Sequence, residues 1–133
     1  MAPVPVVGRV ETGQGLGASF TRTDWALGVF RDAYGVDPFP GTLNLRAAAG
    51  AAMESWRKAA EQGRLFKAPD PSWCDARCLR ATISHGGLKA SGVIVLPLVA
   101  GYPRDQIELV ADRNLRDALA LRDGDEVTLE LEL

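Results

Sequence analysis

Histidine occurs once in this chain, as His85, and cysteine twice, as Cys74 and Cys78. A C-x3-C pair with one histidine and no second cysteine pair supplies neither a disulfide framework nor the spaced ligand set of structural zinc. The two thiols are expected to be reduced. No apolar run approaches the ~20 residues of a membrane helix. The opening Met1-Ala2-Pro3-Val4-Pro5-Val6-Val7-Gly8 carries neither a basic start nor a long apolar stretch. These absences predict a cytoplasmic protein with no signal peptide, membrane span or zinc. A dominant charge is lacking too: fifteen basic and seventeen acidic side chains leave a formal net charge of −2. Such a chain has no electrostatic footprint for duplex DNA or anionic lipid. Residues 1–103 hold 11 basic and 8 acidic side chains, and residues 104–133 hold 4 and 9. A mildly basic body can therefore still bind one small polyanion locally.

What is present is the make-up of one compact domain: 133 residues, 47% apolar and 24% charged, without a repeat or a linker. Val4 to Val10 is β-rich and runs into a glycine-dense stretch, Thr12 to Ser19. From Asp24 to Tyr34, Ala26, Val29, Phe30 and Ala33 recur at helical spacing. Thr23 or Asp24 can cap that helix and Gly35 can stop it. Asp37-Pro38-Phe39-Pro40-Gly41 must be a turn. Thr42 to Arg46 reads as a strand, and residues 47–62 as an alanine-rich helix with Met53, Trp56 and Ala60 on one stripe. Asp75 to Ser84 and Leu88 to Leu96, joined through His85-Gly86-Gly87, read as a hairpin. Ile107 to Ala111 is a strand and Asn114 to Leu121 a short helix. Val127, Leu129, Leu131 and Leu133 alternate with polar residues as a half-buried strand. Six short strands with glycine turns predict a mainly β fold, a small closed barrel with helices packed outside.

Three segments carry possible chemistry. Alternate glycines at Gly13-x-Gly15-x-Gly17 let backbone amides approach an anion, although an isolated motif of this kind is more often a plain loop. It is neither a P-loop nor a dinucleotide turn, since no Gly-Lys-Ser/Thr follows and no helix opens at the third glycine. In Gly41-Thr42-Leu43-Asn44-Leu45 the hydroxyl of Thr42 and the amide of Asn44 share one strand face. Those two oxygens suit a hard cation such as Mg²⁺ bridged to phosphates, and a polar strand face explains them about as well. Glu108 interrupts Ile107-Glu108-Leu109-Val110-Ala111 and so faces away from Ile107 and Leu109. It is either an ordinary strand residue or a functional carboxylate. Arg116 is a surface charge or an anion ligand. Trp25 and Trp56 read as core, and Trp73 and Tyr102 are the aromatics open to stacking on a planar ligand.

Taken in order, these segments resemble the archaeal-type CTP-dependent riboflavin kinase family. The likeness runs from Gly8-Arg9-Val10 through Thr12-Gly13-x-Gly15-x-Gly17-x-x-Phe20 to Pro38-Phe39-x-Gly41-Thr42-Leu43-Asn44-Leu45. It resumes at Gly92-Val93-Ile94-Val95-Leu96-Pro97 and continues through Tyr102-Pro103-x-Asp105-x-Ile107-Glu108-Leu109-Val110-Ala111. Asn114-Leu115-Arg116 and Leu121-x-Asp123-Gly124-Asp125-x-Val127 complete it, leaving roughly residues 46–74 unmatched. The resemblance implies a six-stranded cradle-loop barrel forming a single domain over residues 1–133. It implies Mg²⁺-dependent transfer of the γ-phosphoryl of CTP to the 5′-hydroxyl of riboflavin, giving FMN and CDP; the expected form is a cytoplasmic monomer. By position, Gly13, Gln14, Gly15, Leu16, Gly17 and Ala18 would hold the nucleotide phosphates, with Arg113, Asn114, Leu115 and Arg116 on the nucleotide. Thr42 and Asn44 would bind Mg²⁺, Glu108 would be the catalytic carboxylate, and Ala100 with Glu108 would meet the flavin. The resemblance departs at Ala100, where the family carries threonine, so one hydroxyl contact to the acceptor is missing. A non-catalytic nucleotide- or flavin-binding module, or a kinase for another small alcohol, remains an alternative.

Overall fold

A computed structural model describes residues 3–12 and 23–133 of the chain. Seven strands form one antiparallel sheet: β1 (Val4–Glu11), β2 (Leu43–Ala47), β3 (Arg64–Phe66), β4 (Ala76–His85), β5 (Leu88–Pro97), β6 (Gln106–Val110) and β7 (Glu126–Leu131). Their order is β3-β4-β5-β6-β2-β1-β7, and a further β4–β7 pairing closes six of them into a barrel. β3 hangs outside the closure, paired to Ala76–Cys78 at one end of β4. Among the described residues no helix is long and apolar enough to cross a membrane.

The alternation legible in the sequence decides which side chains face inward. Val6, Val10, Leu43, Leu45, Leu79, Ile83, Ile94, Ile107, Leu109, Val127, Leu129 and Leu131 form one continuous buried cluster inside the barrel. Each such aliphatic contributes roughly 1.5–3 kcal/mol of burial. The opposite face of β4, β5 and β6 carries Ala76, Cys78, Val93, Val95 and Val110, which the helix α1 (Asp24–Tyr34) covers with Ala26 and Phe30. That helix starts and stops as its residues dictate. The Thr23 side chain accepts from the Ala26 N–H; at the other end Gly35, at φ +65°, donates to the Arg31 carbonyl and Val36 to the Phe30 carbonyl. Gly86 and Gly87, both at positive φ, turn the β4–β5 hairpin as expected.

Two boundaries differ from the sequence reading. The alanine-rich helix does not begin at 47: Ala47 stays in β2, paired with Gly8, and α2 spans Ala51–Glu61 after Gly50 at φ +83°. Ladder hydrogen bonds and inward burial of Ala47 outweigh alanine's mild helix preference. The third helix, α3, is one turn, Leu115–Ala118, with Asn114 as its N-cap. Trp56 and Ala59 of α2 and Leu115 of α3 join the inner cluster. The Trp56 indole also donates to the Arg104 carbonyl at 3.0 Å, which ties α2 to the segment before β6.

Candidate active site

The β2–β6 register sets Leu43 opposite Leu109, Asn44 opposite Glu108 and Leu45 opposite Ile107. The leucines and Ile107 face inward, so Thr42, Asn44 and Glu108 all stand on the outer face of the same wall. Covered there, Glu108 is fully buried (0% exposed) and Asn44 nearly so. Among the described residues, Thr42 Oγ1 donates to Glu108 Oε1 at 2.9 Å and the Tyr102 phenol donates to its Oε2 at 2.5 Å. Hydrogen bonds to a carboxylate are about twice as strong as neutral ones. Burial first, and then the hydrogen bond and charge of Glu108, hold the Tyr102 phenol protonated far above the usual phenol range.

Asn44 spends its amide N–H on the Thr42 carbonyl at 3.3 Å, and its buried Oδ1 has no hydrogen-bond partner among the described residues. An orphaned amide oxygen costs roughly 1–3 kcal/mol, so folding alone gives no reason to keep it. It is the kind of donor a hard cation takes, with the Thr42 oxygen beside it on the strand. A carboxylate at 44 would face Glu108 directly, and like charges opposite one another destabilise a sheet. The neutral amide avoids that repulsion.

Beside Thr42 lies a cavity of about 140 Å³ between the Phe39–Leu43 turn and residues 111–116. The turn is held in place by Phe39, whose N–H donates to the Ala111 carbonyl at 2.7 Å. Arg113, Asn114, Leu115 and Arg116 all line the cavity, but not alike. Leu115 is core, the Asn114 side chain caps α3 through the Asp117 N–H, and Arg113 pairs with Asp112 at 3.2 Å. Arg116 is the positioned cation: it donates to Asp123 at 2.6 Å and to the Glu11 carbonyl at 3.2 Å. Asp123 also accepts from Thr12 Oγ1 at 2.6 Å. The Thr12 hydroxyl and then the Arg116 guanidinium hold the Asp123 carboxyl below its usual range, so both bonds persist at neutral pH and fail only in acid.

The proposed anion loop, Gly13, Gln14, Gly15, Leu16, Gly17 and Ala18, lies outside the described residues. Thr12, which leads into it, is the last described residue before it. Ala100 is exposed, in the irregular stretch after β5. Trp56 is core as expected. Trp73, read as open to a ligand, is 41% exposed but stacks on Trp25 with ring centroids 6.2 Å apart. Tyr102 and Asp123 were not assigned these contacts from sequence. Sequence alone offers the first as a stacking ring and the second as a turn residue, because a contact to Glu108 or Arg116 leaves no local pattern.

The CTP-dep_RFKase family model, described as domain of unknown function DUF120, matches residues 10–131. The chain belongs to the CTP-dependent riboflavin kinase family. Its match takes in Thr42, Asn44, Glu108 and residues 113–116. The chain is 33% identical over 129 residues to a protein of Methanospirillum hungatei named riboflavin kinase, covering 95% of this chain and 57% of that relative. A protein of the same name from Methanocella arvoryzae is 36% identical over 131 residues, covering 98% and 58%. The chain thus spans little more than half the length of these curated relatives. A third riboflavin kinase, from Methanothermobacter thermautotrophicus, is 34% identical over 125 residues, and 95% of its length is covered.

Proposed function

We propose that this member of the CTP-dependent riboflavin kinase family transfers the γ-phosphoryl group of CTP to the ribityl 5′-hydroxyl of riboflavin, as a cytoplasmic monomer. The hydroxyl oxygen forms a bond to the γ-phosphorus, the bond to the β,γ-bridging oxygen breaks, and FMN and CDP leave. The observation that carries this reading is the Asn44–Glu108 register, which sets a vacant amide oxygen against a hydroxyl-bonded carboxylate in a chain whose relatives are named riboflavin kinase. Phosphoryl transfer needs positioning and charge neutralisation more than covalent chemistry.

Each residue then has a task. Glu108 orients the acceptor hydroxyl and takes up its proton. Arg116, fixed by Asp123, meets the nucleotide's negative charge at the cavity beside Thr42. Asn44 Oδ1 and the Thr42 hydroxyl oxygen would hold Mg²⁺, which would neutralise phosphate charge. Both ligands are neutral, so most of the ion's affinity would come with the triphosphate. The glycine loop would add backbone N–H groups to the same anion.

Incubation with riboflavin, Mg²⁺ and either CTP or ATP tests the reading. FMN is expected with CTP, and no FMN with any nucleotide overturns it. A second reading, a non-catalytic flavin- or nucleotide-binding module, is favoured by Ala100, which offers no hydroxyl to an acceptor. Calorimetry showing FMN or CDP binding without turnover would select it.

The Asp123 cluster yields a separate expectation. Asp123→Asn keeps the side-chain shape but removes the charge that holds Arg116 and Thr12. The KM for CTP should rise roughly tenfold, as for a lost charge-assisted hydrogen bond, while kcat at saturating CTP changes little. An unchanged KM in initial-rate measurements would show that Arg116 needs no such support.

A further inference from the structure

The stretch joining β5 to β6 is anchored at both feet. At one, the Leu98 N–H donates to the Asp75 carbonyl at 2.9 Å. At the other, the Arg104 carbonyl accepts from the Trp56 indole, and the Asp105 carboxylate is paired with Arg46 at 2.7 Å. The crest between them is looser, with a long Tyr102 N–H to Val99 carbonyl contact of 3.4 Å and Gly101 at φ +83°. From this crest the Tyr102 phenol reaches Glu108 Oε2, and the carboxylate beneath is wholly buried.

The two hydroxyls on Glu108 are not equivalent. Thr42 adjoins β2, whose ladder to β6 fixes it beside the carboxylate. Tyr102 reaches Oε2 from the crest, where a change of backbone angles at Gly101 can withdraw it. Chemically the phenol is a hydroxyl donor on a carbon body, which is also what an incoming primary alcohol is. A carboxylate oxygen can accept a second bond, but Glu108 is wholly buried, so an alcohol reaches Oε2 only through the place that Tyr102 fills.

We infer that Tyr102 stands in for the acceptor hydroxyl on Glu108 and must withdraw before the acceptor can bind, so that this one phenol sets how tightly the acceptor is taken. The inference rests on the reading of Glu108 as the acceptor's contact. An acceptor that binds only the withdrawn form pays for the fraction of molecules in which Tyr102 is in place. Substrate and side chain compete for one approach to Oε2, and each excludes the other.

Initial rates of FMN formation at saturating CTP and Mg²⁺ test this, with wild type compared to Tyr102→Phe. The variant keeps the ring and loses the competing hydroxyl. The KM for riboflavin should fall about tenfold, with kcat within about twofold and the KM for CTP unchanged. Quenching of riboflavin fluorescence should show the same tightening without nucleotide. Tyr102→Leu, which also removes the ring, should tighten binding as well. A riboflavin KM that is unchanged or raised, or a fall in kcat alone, overturns the inference and leaves the phenol as a support for Glu108. Failure of the wild type to form FMN would instead remove the reading on which the inference stands, and the inference with it.

Discussion

Asn44→Ala should lower kcat by on the order of 10²-fold or more while leaving the thermal melt unchanged or slightly raised. The two halves of that result come from one atom. Asn44 Oδ1 is buried with no partner among the described residues, so the fold gains nothing from it and bears its desolvation, roughly 1–3 kcal/mol. Removing the amide lifts that burden, and the small void together with the lost 3.3 Å bond to the Thr42 carbonyl offsets part of the gain. Turnover should nonetheless collapse, because the oxygen is the donor that a cation bridging to phosphate would use. Steady-state rates across a Mg²⁺ titration, with a melt of the same sample, decide it. Retained activity would mean that the ion is held elsewhere. A melt lowered by several degrees would mean that Asn44 is structural after all.

Glu108→Gln should cost about 10²-fold in the rate of FMN formation, the usual scale for removing a positioned proton acceptor. The amide has nearly the shape of the carboxylate and still offers one oxygen to a hydroxyl. On its other side Thr42 or Tyr102 must turn to accept instead of donate, and loses the charge-assisted bond. Folding should suffer modestly, by ~1 kcal/mol. Single-turnover measurement with enzyme in excess isolates this step from product release. A rate within about threefold of wild type would show that the carboxylate neither orients the acceptor nor takes its proton.

Much of the fold was legible because its determinants are local. The alternation Val127, Leu129, Leu131 identifies β7 unaided, the Gly86-Gly87 pair marks the β4–β5 hairpin, and Thr23 with Gly35 brackets α1. β3 escaped because it is three residues long, with an exposed Arg64 and Leu65 and no alternation to find. Ala47 reads as helix from sequence because its pairing with Gly8, a whole helix earlier in the chain, leaves no local mark against the run of alanines that follows it. At the candidate site the strand faces of Thr42, Asn44 and Glu108 follow from period two. Their meeting depends on the β2–β6 register, which neither strand encodes alone. Tyr102 and Asp123 depend on loop paths, and a side chain at a loop crest has no periodicity.

Every strand of the closed ring has a hydrogen-bonded neighbour on both sides, so the wall bearing Asn44 and Glu108 has no seam at which to fray. Losing that wall requires losing the whole domain at once. The spacing of a few oxygens is thereby insured by the cooperativity of the entire ring, and chemistry that demands sub-ångström placement is entrusted to the least deformable part of the molecule.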